Sequence, residues 1–266
     1  MYKTFYSLSR EPFSKDTNPS EAYRGSSYEE ALHALDYVKR TKGIGLLTGE
    51  PGAGKTFALR TFKESLNPSL YHVVYFPLST GGVMDFYRGL ALGLGEEPKY
   101  RKVDLFYQIQ QGIERMYQER RITPVILLDE MHLAKDVFLQ DIAILFNFHM
   151  DSTNPFVLIL AGLPHLQIRL RLNHHRPLQQ RIIMRYRMGA LSKEEVAAYI
   201  EQRMKQAGAK HSIFTPAALE AIALQSQGWP RVINTLTTTC LLYGYQLKKD
   251  VIDEEIVRMA VEETGA

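Results

Sequence analysis

Gly49-Glu50-Pro51-Gly52-Ala53-Gly54-Lys55-Thr56 has the spacing G-x-x-x-x-G-K-[ST]. Glycines at those positions let backbone N–H groups close around phosphate oxygens. A helix that starts at the lysine turns its positive end toward the same oxygens. Lys55 is placed to reach the outer phosphates, and the Thr56 hydroxyl to take one Mg²⁺ position. Phe57, the next residue, is counted with the nucleotide-binding set. The implied ligands are ATP and Mg²⁺. Val125-Ile126-Leu127-Leu128-Asp129-Glu130 complements the loop with four apolar residues ending in two carboxylates. Asp129 suits Mg²⁺, which keeps most of its waters and takes few carboxylates. Glu130 is the candidate for polarising an attacking water. Lys55, Glu130 and Arg181 form the candidate catalytic set.

Further polar residues cluster downstream. His132 reads either as a relay beside the carboxylates or as a structural loop histidine. Ala161-Gly162-Leu163-Pro164 puts leucine where a side chain sensing the γ-phosphate would need to be polar. Arg169, Arg171, Arg176, Arg181, Arg185 and Arg187 make an arginine-rich stretch. A guanidinium offers a permanent planar charge for a phosphoryl transition state. Arg181 is the first choice to reach a neighbouring subunit's nucleotide, and Arg176 the alternative. Arg231, in Gly228-Trp229-Pro230-Arg231, is placed to fold back onto the phosphates from a helix start.

The elements that must hold these residues alternate. Strands are expected at Gly43–Thr48, Tyr71–Leu78, Val125–Asp129, Phe156–Ala161 and Ile182–Arg187. Helices are expected from Ser27 to about Arg40, Lys55 to about Leu66, Asp85 to about Leu94, Asp104 to about Arg120, and Phe138 to His149. The Val125–Asp129 run is apolar on both faces, as a central parallel strand requires. Ser27 with Glu30, and Ser192 with Glu195, have capping-box spacing. After Leu191 the pattern is helical, at about 193–207, 215–227, 230–247 and 253–263. Alternation of this kind predicts an α/β class with a parallel sheet. Residues 1–190 are read as the nucleotide-binding part and 191–266 as a small helical domain, with nucleotide held between them.

The 266 residues are 45% hydrophobic and 23% charged, with a net charge of +3. That balance excludes a disordered or highly basic chain, and permits only a local basic face. Cys240 is the single cysteine, so no internal disulfide forms, which fits a reducing compartment. The longest apolar runs, Val125–Leu128 and Phe156–Leu163, are far too short to cross a membrane. A soluble cytoplasmic protein is expected.

Taken together, these motifs resemble the AAA+ ATPases, and within them the ExeA-like group of the initiator-related branch. The likeness rests on Phe5-Tyr6-x-Leu8-x-Arg10-Glu11-Pro12-Phe13, Gly45-Leu46-Leu47-Thr48-Gly49-Glu50, Leu128-Asp129-Glu130, Leu160-Ala161-Gly162-x-Pro164, Gln180-Arg181-Ile182 and Gly228-x-Pro230-Arg231-x-Ile233-Asn234. The resemblance implies a P-loop AAA+ domain followed by a helical lid, ATP hydrolysis, and a homo-oligomer in ring or filament form. Some members resemble a secretion ATPase and continue into a membrane segment, which is not read here. Short members resemble the transposition regulators TnsC, TniB and MuB. The expected function is therefore an ATPase that assembles on double-stranded DNA, with little sequence preference, and recruits a transposase. The alternative is an ExeA-like ATPase of a secretion or assembly apparatus.

Initiator-like relatives place DNA contacts after the second strand. Lys99-Tyr100-Arg101-Lys102 is the candidate basic loop, and Thr80, in the Ser79-Thr80-Gly81-Gly82 turn, a further phosphate donor. Lys205–Lys210 and Lys248-Lys249 are read as solubility or partner surfaces. The aromatics Tyr2, Phe5, Tyr6 and Phe13 are read as adenine-facing, subunit-facing or core residues.

Overall fold

The structure, a computed structural model, describes residues 2–14, 16–77 and 81–265. Its elements, in chain order, are α1 (Tyr2–Phe5), α2 (Ser26–Thr41), β1 (Gly43–Gly49), α3 (Lys55–Ser65), β2 (Tyr71–Phe76), α4 (Val83–Gly93), α5 (Lys102–Gln118), β3 (Thr123–Leu128), α6 (Asp136–Leu145), β4 (Val157–Gly162), α7 (His165–Leu170), α8 (Arg176–Arg181), β5 (Ile182–Met188), α9 (Lys193–Gln206), α10 (Pro216–Ser226), α11 (Pro230–Gln246) and α12 (Glu254–Thr264).

The chain divides into two compact units. One holds 30–50 and 55–188, and contains a five-stranded sheet in the order β2-β3-β4-β1-β5. Every strand pair is parallel. β1, β3 and β4 are buried along their whole length. Their apolar runs therefore lack a polar face, as strands covered on both sides should. Helices supply the cover, with Leu90 of α4, Ile109 and Ile113 of α5, and Leu139 and Ile142 of α6 in one core with Ile126 and Leu158. Each such side chain contributes about 1.5–3 kcal/mol on burial. The carboxyl ends of parallel strands are where ligands bind in open sheets. β1 runs there into the glycine loop, and β3 into Asp129 and Glu130.

The other unit comprises residues 1–29, 51–54 and 189–266. Its core gathers Val196, Ile200, Ile222, Ile233, Leu236, Cys240 and Ile256. Tyr6 and Leu8 belong to it too, and the Tyr6 hydroxyl donates to the Lys249 carbonyl. The N-terminal aromatics thus serve as packing, and residues 1–29 group with the C-terminal helices. This departs from the expected grouping of 1–190 with the sheet.

Two local expectations fail for tertiary reasons, and one strand is shorter than expected. The Ser27–Glu30 capping box does not form. The Ser27 hydroxyl instead accepts from the Gly189 N–H, and Glu30 accepts from Tyr186. The Ser192–Glu195 box does form, and Glu195 also accepts from the Ser26 N–H. The helix expected to reach His149 ends at Leu145. There the chain turns to bury Phe146 and Phe148 against Phe156, and His149 and Met150 take left-handed φ. β2 ends at Phe76, short of Leu78, which lies outside the described residues along with Ser79 and Thr80.

Candidate functional site

The glycine loop is set by backbone conformation. Gly52 and Gly54 have φ of +85° and +96°, a region that side chains disfavour. A Cβ on Gly52 would lie 2.5 Å from Arg231 Cβ. The Arg231 N–H also donates to the Gly52 carbonyl, and the Arg231 side chain is exposed. Ala53 is buried and Pro51 exposed. Glu50 pairs with Arg187 at 3.2 Å. Lys55 is buried and its ammonium donates to the carbonyls of Gly49 and Glu50, at 2.8 and 3.1 Å. Phe57 is partly buried and lies under the Arg60 guanidinium, 4.9 Å from its ring centre.

Asp129 lies one residue beyond β3, not within it, and is 1% exposed. A buried carboxylate persists only when hydrogen-bonded. Asp129 Oδ2 accepts from Thr56 at 2.7 Å and from the Tyr75 hydroxyl at 3.3 Å, and Oδ1 accepts from the Glu130 N–H at 2.8 Å. Burial, then the Asp129 charge, push the Tyr75 phenol up to about 12, so it remains a donor at neutral pH. The structure thus brings Lys55, Thr56, Asp129 and Glu130 together. Thr56 and Asp129 present hard oxygens 2.7 Å apart, a donor pair that fits Mg²⁺.

Glu130 takes a left-handed conformation, φ 54° and ψ 31°, and caps a 3₁₀ turn, Met131–Leu133. Its side chain is 47% exposed and lies 3.4 Å from His132 Nδ1, without hydrogen-bond geometry. Burial holds the His132 pKa below its ordinary value. It stands edge-on to His165.

The arginines separate. Arg176 is exposed at the start of α8. Arg181 is partly buried and donates to the Ala143 carbonyl of its own chain. Leu163 is half-buried, and its carbonyl accepts from the Leu166 N–H. A recess of about 260 Å³ is lined by Leu46, Gln167, Leu170, Arg171, Gln179 and Arg185, none of them in the phosphate loop.

Of the basic loop, Lys99, Tyr100 and Arg101 are exposed, Tyr100 at 86%. Gln108 staples the loop from beneath, accepting from the Lys99 N–H and donating to the Glu97 carbonyl. Lys102 is not a loop residue. It opens α5 and pairs at 2.6 Å with the buried Asp141, which also accepts from Tyr87. Thr80 lies outside the described residues. Arg169, named in the arginine-rich stretch but given no role there, is built into the turn after Glu130. Its type gave no signal beside the five other arginines of that stretch.

The fold and the phosphate loop define a class, the nucleotide-hydrolysing P-loop α/β proteins with a helical C-terminal part. The family profile described as AAA domain matches residues 38–170, half of the chain, and the chain belongs to that family of ATPases. General secretion pathway protein A of Aeromonas hydrophila is 33% identical over 259 residues, covering 92% of this chain and 45% of that protein. The chain therefore spans less than half the length of that relative. Among solved structures, Cdc6p from Pyrobaculum aerophilum superposes with a TM-score of 0.71 at 17% identity, covering 95% of this chain and 70% of that one. The Aeropyrum pernix ORC1 protein, solved in complex with DNA, gives 0.67 at 15% identity, covering 95% and 68%. The Thermotoga maritima RuvB Holliday junction motor gives 0.58 at 20% identity, covering 89% and 67%. No described helix is long and apolar enough to cross a membrane.

Proposed function

We propose that this chain is a Mg²⁺-dependent ATPase in which ATP binding assembles a homo-oligomer and hydrolysis releases it. The observation that carries the reading is the buried Asp129, hydrogen-bonded to Thr56 at 2.7 Å beneath the glycine loop, with Glu130 beside it. Lys55 exchanges its two loop carbonyls for phosphate oxygens, and the loop N–H groups of 52–56 wrap them. Thr56 and Asp129 would hold Mg²⁺, which supplies charge neutralisation on the phosphates. Glu130 orients a water in line with the γ-phosphate. Arg181, or the more exposed Arg176, serves a neighbouring copy, and Arg231 reads the loop tip in its own chain.

Two settings fit. The 33% relative supports work in a secretion or assembly apparatus, so that reading leads. The exposed Lys99, Tyr100 and Arg101 support a second, in which the oligomer forms on double-stranded DNA as a transposition regulator. Transposase recruitment draws no support from the relatives named above. Glu130→Gln should bind ATP normally and hydrolyse it at least about 100-fold more slowly, with long-lived oligomers by light scattering. Wild-type turnover in that variant contradicts the reading. Stimulation of wild-type turnover by duplex DNA favours the DNA setting, and its absence favours the secretion setting.

A further inference from the structure

The turn after Glu130 is held by an arginine from a different helix. Arg169, in α7, donates Nη1 to the His132 carbonyl at 3.0 Å and Nη2 to the Ala134 carbonyl at 2.7 Å. Nη2 also reaches Asp136 Oδ1 at 2.6 Å. A short helical turn ends in carbonyls without partners of their own, and a planar guanidinium satisfies several at once. The turn is also pressed from behind. A Cβ on Gly162, at the end of β4, would lie 3.0 Å from the His132 nitrogen. Between Gly162 and Arg169 the backbone of 132–134 has little room to shift, and Glu130 enters it in a left-handed conformation that few residues adopt.

Asp136 anchors the clamp. His175, whose side chain is fully buried, approaches Asp136 Oδ1 through Nε2 at 3.0 Å, and His174 lies 3.6 Å from Oδ2. These three residues could present ligand atoms to a metal ion, since the atoms lie within 4.8 Å of one another. The Arg169 guanidinium already occupies Asp136 Oδ1, and a second cation there would be repelled. The group is better suited to orient Arg169.

We propose that Arg169, braced by Asp136, is a positioning residue that sets the direction of the Glu130 carboxylate through the 131–134 backbone. The proposal rests on Glu130 being the residue that orients water. Its test compares Arg169→Ala, Arg169→Lys, Asp136→Asn, Glu130→Gln and the Arg169→Ala/Glu130→Gln double variant. Steady-state turnover is measured where the wild-type chain is active, alongside affinity for a fluorescent ATP analogue and thermal melting. Arg169→Ala should lose roughly tenfold to a hundredfold in kcat, the scale of a misplaced catalytic group, with KM and analogue affinity within about twofold. Arg169→Lys should recover only part, because an ammonium cannot fork across two carbonyls. The double variant should be no slower than Glu130→Gln alone. Wild-type kcat in Arg169→Ala, an equal loss of affinity, or additive losses in the double variant each overturn the clamp. Wild-type turnover in Glu130→Gln overturns the underlying role of Glu130, a separately visible outcome. If Arg169→Ala does not fold, Asp136→Asn carries the test, since it keeps both carbonyl contacts. It should lower kcat at unchanged KM, and an unchanged kcat overturns the proposal.

Discussion

The phosphate loop with its carboxylates and the basic loop before α5 are opposite kinds of site. In the first, each polar group is fixed by neighbours: Lys55 by two carbonyls, Thr56 and Tyr75 by Asp129, and Asp129 by burial. In the second, the side chains of Lys99 and Arg101 are exposed, and Gln108 holds the backbone at Lys99 and Glu97. Preorganised groups act strongly on one ligand at short range. Exposed charges act weakly, additively and through salt. The contrast teaches that the first site fits chemistry on one defined substrate, and the second suits a repetitive polyanion or an acidic surface.

The comparison breaks most sharply at Lys55. Lys55→Ala should weaken ATP binding by about 100-fold, about 2.7 kcal/mol, because a buried charge aimed at the phosphates is lost. Calorimetric titration showing an affinity within threefold of wild type would dissolve the contrast. Next comes Lys102, which sits beside the basic loop in sequence but behaves like the fixed site. Lys102→Ala should cost about 1–3 kcal/mol of stability, since Asp141 stays buried with its ion-pair partner removed. Denaturant titration checks this, and an unaltered midpoint would mean that the half-exposed Lys102 does not hold Asp141. The Lys99→Ala/Arg101→Ala pair should leave stability unchanged. It should reduce the slope of log affinity for duplex DNA against log salt by about 1.8, at about 0.9 per phosphate contact. An unchanged slope removes this loop from any DNA surface.

The smallest effect is in acid. Hydrogen bonds from Arg169 and then His175 hold the Asp136 carboxyl down at about 2. A carboxylate depressed on folding stabilises the native state above its unfolded value of about 3.9, and the stabilisation fades as pH falls toward the folded value. Asp136→Asn should therefore be less stable than wild type at pH 5 and converge with it near pH 2, measured by thermal melting. A gap that persists to pH 2 would mean the carboxylate charge is not what anchors Arg169.

Local order was legible where the sequence alone determines it. The glycine loop needs only its own φ angles, and the buried strands β1, β3 and β4 announce themselves as unbroken apolar runs. The sequence also carried the expectation that Thr56 and Asp129 share one metal site, because a parallel sheet brings strand ends together. What stayed hidden depends on distant residues. Ser27 has capping-box spacing, yet Gly189 takes its hydroxyl. Phe146 and Phe148 continue a helical pattern, yet Phe156 turns the chain. α7 and α8 are six residues each, too short for periodicity to reveal, and their arginines look alike until Arg169 is seen on the His132 and Ala134 carbonyls.

Gly52 answers to two demands. The positive φ at the loop tip asks for glycine on phosphate grounds, but Arg231 Cβ lies where any side chain at 52 would begin. A side chain at that position would therefore clash even in a chain that never meets a nucleotide. An alanine there would act as a wedge under the first turn of α11, jamming a joint whose parts are otherwise intact.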